Sequence, residues 1–136
     1  MASRRYAKAL LVSPEGKILI LRRSSSAPKR PLELDLPGGT VENDETFQTG
    51  VIREIKEETD VDFADDEIEL IHAHTAYYQG KTSFLFLYIG YLKQQEVRLS
   101  NEHDEQYFMS LDEVLDQFKH PGWRHGIEYA AQHILA

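Results

Sequence analysis

Charged residues at fixed spacings between residues 39 and 61 are the part of this chain that could do chemistry. Gly39 is followed after five residues by Glu45, after seven more by Arg53-Glu54-Ile55, and after one more by Glu57-Glu58. The probability of this pattern arising by chance in one window is far below about one in a million. On a helix, at about 100° per residue, the last three glutamates share one stripe.

A stripe of three carboxylates predicts a cation site. Like charges at these spacings destabilise an isolated helix, so a bound cation would turn a penalty into an attraction. Hard oxygen donors suit Mg²⁺ or Mn²⁺, and we therefore expect Glu54, Glu57 and Glu58 to hold one of them. Arg53 lies four residues before Glu57 and can orient that carboxylate. The alternative is a solvated helix face, which is the commonest use of such a segment.

The residues around the stripe favour the functional interpretation. Leu36-Pro37-Gly38-Gly39 predicts a tight turn whose two glycines let the backbone approach a ligand, so both glycines are candidate substrate-binding residues. Asn43 or Asp44 is predicted to cap the helix, and Glu45 to place negative charge in its first turn. Gly50, on the carboxylate side, is predicted to leave room for metal and phosphate.

Length and composition bound the class of protein. A chain of 136 residues is expected to form one domain, 1–136, and the absence of cysteine excludes disulfide and thiolate chemistry. The net charge of −8 disfavours nucleic-acid partners. The longest apolar run, Phe84 to Leu92, is too short to span a membrane, and no signal peptide is evident, so a cytoplasmic location is expected. A homodimer is left open.

Hydrophobic patterning predicts one compact α/β or α+β domain in which strands alternate with helices. A hairpin turn at Ser13-Pro14-Glu15-Gly16 separates the first two strands. The helix that carries the carboxylates is predicted over Glu45–Thr59. The remaining elements are strands at Tyr6–Val12, Lys17–Leu21, Leu34–Leu36, Glu67–Thr75, Ser83–Leu92 and Gln106–Ser110, and helices at Leu111–Phe118 and Trp123–Leu135.

The motif closely resembles the signature of the Nudix hydrolases, with Asp60 standing where that family usually has Gly. A Gly at that point implies a helix-terminating residue with positive φ, a conformation that Asp tolerates better than most residues. Leu19-Ile20-Leu21-Arg22-Arg23, followed by Leu34-Asp35-Leu36-Pro37-Gly38-Gly39, is most similar to the MutT-type nucleoside triphosphate pyrophosphohydrolases. This resemblance implies a mixed β-sheet sandwiched between α-helices. It also implies a small-molecule nucleotide substrate, and metal- and carboxylate-assisted attack of water on an internal phosphorus, which releases a mononucleotide and pyrophosphate.

The same resemblance assigns roles to individual residues. It implies that the glutamates of the stripe are metal ligands, with the Gly39 carbonyl completing the site, and that Glu102 is a further ligand or the base. The alternative for Glu102 is a solvated loop position. Arg22 and Arg23 end a strand, where one of them could clamp a phosphate, although a plain surface arginine is an equal alternative.

The substrate stays open at this stage. Tyr77 lies near the place where dinucleoside polyphosphate hydrolases of the family carry a tyrosine, and ADP-ribose or a nucleotide sugar is a further alternative. A non-catalytic module that senses a ligand or binds a protein is the alternative of another class. The repulsion among the three carboxylates argues against such a module, because a non-catalytic module would gain nothing from keeping these like charges together.

Overall fold

Seven strands and three α-helices make up the part of the chain that the computed structural model describes, residues 3–94 and 96–135. The strands are β1 (Arg4–Val12), β2 (Ile18–Arg23), β3 (Leu34–Asp35), β4 (Gly38–Thr40), β5 (Ile68–Tyr78), β6 (Lys81–Tyr91) and β7 (His103–Met109). The helices are α1 (Phe47–Thr59), α2 (Leu111–Gln117) and α3 (Pro121–His133). Within those ranges no helix is long and apolar enough to cross a membrane.

Strand β1 is the centre of a mixed sheet. It runs parallel to β6 from the Arg4↔Ser83 pair to the Val12↔Tyr91 pair, and the other strand pairs are antiparallel. The main path of the sheet is β3-β2-β1-β6-β5, with β7 on β2 and β4 on β1. Because β1 pairs with β2 only at Val12↔Ile18, its first half is free to pair with β4.

Helices cover both faces of this sheet. Alternation along β1 sends Ala9 and Leu11 into the hydrophobic cluster that contains Val51 and Ile55 of α1. Leu10 belongs to the cluster on the other face, together with buried side chains from α2 and α3. This arrangement confirms the predicted α+β sandwich, because each helix buries one apolar stripe against the sheet.

The predicted strands and helices are all present, and one strand was missed. The segment predicted to be only a tight turn continues into β4, whose Gly38 pairs with Lys8. A Cβ on Gly38 would lie 2.2 Å from the carbonyl oxygen of Ala7, and φ at Gly38 is +125°. Only glycine allows the two backbones to approach this closely. The strand was missed because glycine is depleted in strands and so gives no strand signal in the sequence.

The predicted start of α1 is wrong. The helix begins at Phe47, and the N-cap is Thr46, whose hydroxyl accepts a 3.0 Å hydrogen bond from the N–H of Thr49. Glu45 therefore lies before the helix, and its first turn holds no acidic residue. Glu45 is drawn away because its carboxylate accepts the N–H of Glu42 at 2.8 Å.

The other end of α1 has the backbone that the signature predicts. Asp60 adopts the left-handed conformation, with φ 61° and ψ 20°, and its N–H donates to the carbonyl of Lys56 at 3.0 Å. A glycine is favoured at such a position, and aspartate tolerates it better than most residues. Helix α3 begins two residues earlier than predicted, because Pro121 is acceptable in the first turn.

Candidate active site

A cavity of about 760 Å³ opens beside the C-terminal half of α1. Its lining combines acidic and basic side chains. The acidic residues are Asp35, Glu33, Glu54, Glu58 and Glu102, and the basic ones are Lys8, Arg23, Lys29, Arg30 and Lys119. A concave site of this size with convergent polar groups has the dimensions of a small-molecule site.

Glu58 is the most buried carboxylate of the cavity, at 3% exposure. Its Oε1 accepts a 2.8 Å hydrogen bond from the backbone N–H of Gly38. Burial raises the pKa of Glu58 to about 8, although the nearby Lys8 ammonium and the Gly38 hydrogen bond act in the opposite direction. The charged form is therefore poorly compensated in the protein alone.

Glu54 lies one helical turn earlier and faces the same cavity. Burial also raises its pKa, which the Arg53 guanidinium opposes and the Glu57 and Glu102 charges reinforce. A Cβ on Gly39 would lie only 3.0 Å from Oε2 of Glu54. Glycine at that position thus lets the carboxylate rest against the backbone of β4.

Arg53 binds three carboxylates on the outer side of α1. Its guanidinium contacts Glu45 Oε1 at 2.7 Å, Glu54 Oε1 at 3.1 Å and Glu57 Oε1 at 3.2 Å. The hydrogen bonds with Glu45 raise the pKa of Arg53 above its usual range and lower that of Glu45 to about 2. A planar guanidinium with several donors can fix all three side chains at once.

The predicted stripe divides into two parts. Glu54 and Glu58 line the cavity, whereas the side chain of Glu57 is 56% exposed and is not among the lining residues. Arg53 is also outside the lining, and it contacts lining residues through Glu54 and through the Thr40 carbonyl, to which it donates at 3.2 Å. The structure thus places Glu57 at the rim, where Arg53 holds it.

Gly50 does not leave room for a ligand, and that prediction is wrong. A Cβ there would lie 3.0 Å from Cγ2 of Val41 and 3.2 Å from Oε1 of Glu45. Gly50 is itself buried under these side chains. The missing side chain therefore serves close packing of α1 against the segment before it.

Of the two candidate arginines at the end of β2, only one lines the cavity. Arg23 lines the cavity, and its Nη1 lies 3.5 Å from Oδ2 of Asp35. Arg22 is not among the lining residues, and its Nε lies 2.9 Å from Oδ1 of Asp104. Successive side chains of a strand point to opposite faces, so only one of the pair can face the cavity.

A buried ion pair beneath Glu58 was not predicted. Nζ of Lys8 donates to Oδ1 of Asp35 at 2.8 Å and to the carbonyl of Leu36 at 3.2 Å. Burial alone would raise the pKa of Asp35, but the Lys8 charge and a contact with His103 hold it well below its usual range. The available sequence signal was a charged residue alternating with buried apolar ones, as in Leu34-Asp35-Leu36.

The loop before β7 brings Glu102 to the cavity, as the sequence predicts for a site residue. One oxygen each of Glu58 and Glu102 and one ring nitrogen of His103 lie within 4.8 Å of one another. The backbone carbonyl of Glu102 accepts the N–H of Ser24 at 2.9 Å, which ties this loop to the end of β2. Sequence reasoning singled out Glu102 and overlooked its neighbour.

The donor set of the cavity fits a hard divalent cation. Burial raises the pKa of both Glu54 and Glu58, and the nearby charge of Glu54 raises that of Glu58 further. Oxygen donors of this kind suit Mg²⁺ or Mn²⁺. A cation would supply the compensation that Lys8 and Arg53 provide only in part.

Comparison with known proteins gives a consistent result. The family model described as NUDIX domain matches residues 2–129. The chain is 27% identical over 116 residues to Nudix hydrolase 5 of Arabidopsis thaliana, covering 82% of this chain and 38% of the relative. It is 36% identical over 66 residues to a MutT-like protein of Streptomyces ambofaciens, covering 48% of this chain and 40% of the relative. The chain thus spans about two fifths of the length of these relatives.

A solved structure shares the whole architecture. The MutT protein of Methanosarcina mazei Go1 superposes with a TM-score of 0.79 at 28% identity, covering 97% of this chain and 96% of that one. The structural similarity therefore extends over nearly the whole length of both chains.

Proposed function

This chain belongs to the Nudix family, and on that premise we propose that it hydrolyses the diphosphate bond of a nucleotide with a divalent cation, Mg²⁺ or Mn²⁺. The preferred substrate in this proposal is a nucleoside triphosphate, modified or not. The products are then a nucleoside monophosphate and pyrophosphate. The proposed reaction is the hydrolysis of an acid anhydride bond.

The observation that carries this proposal is that one cavity combines carboxylates with basic side chains. Glu54 and Glu58 can offer oxygens to a cation there. Arg23, Lys29 and Arg30 line the same cavity. Phosphate oxygens bind both to cations held by carboxylates and to guanidinium groups, so a polyphosphate chain can contact both kinds of group.

The proposed ligands of the cation are Glu54, Glu57, Glu58, Glu102 and the Gly39 carbonyl. Bound there, the cation supplies Lewis-acid stabilisation of phosphoryl charge and an acidified water. The protein orients these carboxylates, because Arg53 holds Glu54 and Glu57 while the Gly38 N–H holds Glu58. Positioning and charge stabilisation of this kind account for most of the rate in phosphoryl transfer.

Removal of the proton from the attacking water is assigned to a carboxylate at the mouth of the cavity. Glu102 is exposed, lies on the loop before β7, and has an oxygen within 4.8 Å of Glu58. A carboxylate in contact with solvent can take a proton and pass it on. Glu102 is therefore proposed as base or additional ligand.

The nucleoside is proposed to lie toward α3. Trp123 and Phe118 line that end of the cavity, with Trp123 partly buried against the core. An indole edge or face can contact a base while the rest of the ring packs inward. Arg23 is the proposed phosphate clamp, and Arg22, which pairs with Asp104, is left out.

A second substrate class is favoured by one observation. A smaller cavity of about 320 Å³ adjoins the first and shares Tyr6, Leu85 and His120 with it. A dinucleoside polyphosphate, ADP-ribose or a nucleotide sugar has a second group that could lie there. Tyr77, the sequence hint for the first of these, is 72% exposed and is not among the residues that line either cavity.

A substrate panel tests the proposal. Nucleoside triphosphates, dinucleoside polyphosphates, ADP-ribose and nucleotide sugars are each incubated with the protein and Mg²⁺ or Mn²⁺, and products are identified by chromatography. We expect pyrophosphate and a monophosphate from at least one triphosphate, and none with chelator. Hydrolysis confined to dinucleoside polyphosphates, ADP-ribose or nucleotide sugars would favour the second substrate class. No hydrolysis of any member would contradict the proposal in favour of a ligand-sensing or protein-binding module.

A further inference from the structure

His103 lies beside Glu58 and Glu102, behind the residues that line the cavity, and its ring carries a buried polar atom that has no partner among the described residues. We propose that His103 is a protein ligand of the cation site together with Glu58 and Glu102. The metal centre of this chain then contains a nitrogen donor beside its carboxylate oxygens. The inference deepens the proposed function, on which it rests, and it concerns which atoms hold the cation.

Burial gives the first argument. His103 is 3% exposed, and its Nδ1 is buried without a hydrogen-bond partner in residues 3–94 and 96–135. A buried polar atom left unpaired costs roughly 1–3 kcal/mol, so native proteins seldom keep one without a use. The two partners that can satisfy an imidazole nitrogen in such a place are an ordered water and a metal ion, and neutral imidazole is the commonest metal ligand among side chains.

The other ring nitrogen supplies the second argument. Nε2 of His103 lies 3.4 Å from Oδ2 of Asp35, whose carboxylate also binds Lys8. If Nε2–H donates to Asp35, the lone pair is on Nδ1. Metal-binding histidines commonly donate their second N–H to a carboxylate, which fixes the tautomer and increases the basicity of the ligand. Asp35 is placed to act in this way.

Distances give the third argument. A ring nitrogen of His103 and one oxygen each of Glu58 and Glu102 lie within 4.8 Å of one another. Donors on opposite sides of one cation are about 4.2 Å apart, since each bond is about 2.1 Å long. Small side-chain movements therefore suffice to bring the three donors onto one ion.

The backbone holds this donor in position. His103 opens β7 and pairs with Arg23 of β2 at a register shift between Arg22 and Arg23. Irregularities of this kind re-aim side chains and are common next to active sites. Because the sheet fixes His103 on one side and Asp35 holds its ring on the other, the nitrogen is presented in a single orientation.

A nitrogen donor changes which cation the site prefers. Imidazole suits first-row transition cations better than Mg²⁺, which prefers oxygen ligands, and Mn²⁺ is the weakest binder of that series. We therefore expect His103 to strengthen the binding of Mn²⁺ more than that of Mg²⁺. A role limited to hydrogen bonding with Asp35 would weaken both cations alike.

The test is pulsed electron paramagnetic resonance of the full chain loaded with one equivalent of Mn²⁺, without nucleotide. We expect coupling to a histidine nitrogen in the unsubstituted protein, its loss in His103→Gln, and its retention in the control His133→Gln at the exposed end of α3. Calorimetric titration should show Mn²⁺ affinity about tenfold or more weaker in His103→Gln, with Mg²⁺ affinity changed less than about threefold.

Two results would overturn the inference: no histidine coupling in the unsubstituted protein at full Mn²⁺ occupancy, or coupling that persists in His103→Gln. The first does not depend on whether a variant folds. The substrate panel separates this inference from the proposed function. Hydrolysis without nitrogen coupling overturns only the role of His103, and nitrogen coupling without hydrolysis of any substrate overturns only the proposed activity.

Discussion

The backbone N–H of Gly38 donates a 2.8 Å hydrogen bond to Oε1 of Glu58, joining β4 to the last turn of α1. This contact exists because glycine allows β4 to approach β1 closely. It orients a carboxylate that is 3% exposed and has little compensating charge. The ionised side chain of Glu58 that would bind a cation therefore lowers the free energy of unfolding of the metal-free protein.

Glu58→Gln should stabilise the metal-free protein at pH 8 by about 2 kcal/mol or more. Burial raises the pKa of Glu58 to about 8, so the ionised side chain disfavours the fold increasingly from about pH 4 to pH 8. Glutamine keeps an oxygen for the Gly38 N–H and carries no charge. Urea unfolding without metal measures the difference.

The same pair of proteins compared at pH 4 is the control for this prediction. Glu58 is then protonated in the folded chain and mostly protonated in the unfolded chain, so the gain should nearly disappear. A gain that is equal at both pH values, or a loss of stability at pH 8, would contradict the account of the buried charge.

Asp35→Asn should destabilise the protein by about 3 kcal/mol at pH 7, because it leaves the ammonium of Lys8 buried without its partner. The Lys8 charge and His103 hold the pKa of Asp35 below its usual range against the effect of burial. Its contribution is therefore present above about pH 4 and is lost as the pH falls further. Denaturant unfolding at pH 7 and pH 3 should show the difference between the two proteins shrinking.

The matched control for that prediction is Asp104→Asn. Asp104, like Asp35, pairs with a basic side chain, in this case Arg22, but the side chains of Asp104 and Arg22 are both about one third exposed. Exposed pairs contribute about 1 kcal/mol at most. Equal losses for the two variants would show that burial of the Asp35 pair has no special weight.

Asp60→Gly should stabilise the protein by up to about 1 kcal/mol and leave kcat within a few-fold. Glycine adopts the left-handed backbone of position 60, φ 61°, at lower cost, and the change removes a negative charge from the helix C-terminus. The substitution also removes the exposed contact between Lys56 Nζ and Asp60 Oδ1, which are 3.1 Å apart. Losing this contact offsets about 0.2–0.5 kcal/mol of the gain.

Asp60→Asn separates the two causes, since it removes the charge and keeps a side chain that tolerates the same backbone. A large fall in kcat/KM in either variant, without stabilisation, would show instead that Asp60 acts on metal or substrate. Chemical denaturation and steady-state kinetics on the best substrate of the panel give both quantities.

Arg53→Ala should lower kcat by about tenfold or more, although its guanidinium does not line the cavity. The guanidinium holds Glu45, Glu54 and Glu57 together, and without it these carboxylates repel one another. Arg53→Lys should recover only part of the rate, because an ammonium cannot match the planar fork. Full activity in Arg53→Ala would contradict the role of this residue in orienting the carboxylates.

The sequence predicted what local spacing controls. Helical periodicity alone placed Glu54 and Glu58 on one face, and the backbone conformation at Asp60 was expected because the signature that this chain resembles usually has Gly there. What the sequence could not supply depends on contacts between distant residues. Lys8 meets Asp35 across 27 positions, and His103 meets Asp35 across 68.

Local errors had local causes as well. Asn43, Asp44 and Thr46 are all acceptable N-caps by residue type, and only the contacts of Glu45 decide in favour of Thr46. Gly50 was predicted to face a ligand because its helical position matches that of the carboxylates. Gly50 instead packs under Val41. Val41 belongs to the segment before the helix, and helical periodicity does not specify the path of that segment.

The most direct test of the whole account is the turnover of the best triphosphate substrate with Mg²⁺, followed by phosphorus NMR, for the unsubstituted protein, Glu58→Gln and Glu69→Gln. Glu69 is an exposed residue of β5 and serves as the control for a surface charge. The account predicts pyrophosphate release that requires Mg²⁺, a kcat about 100-fold or more lower in Glu58→Gln, and no change in Glu69→Gln. Near-normal turnover in a folded Glu58→Gln, or undiminished turnover in chelator, would contradict it.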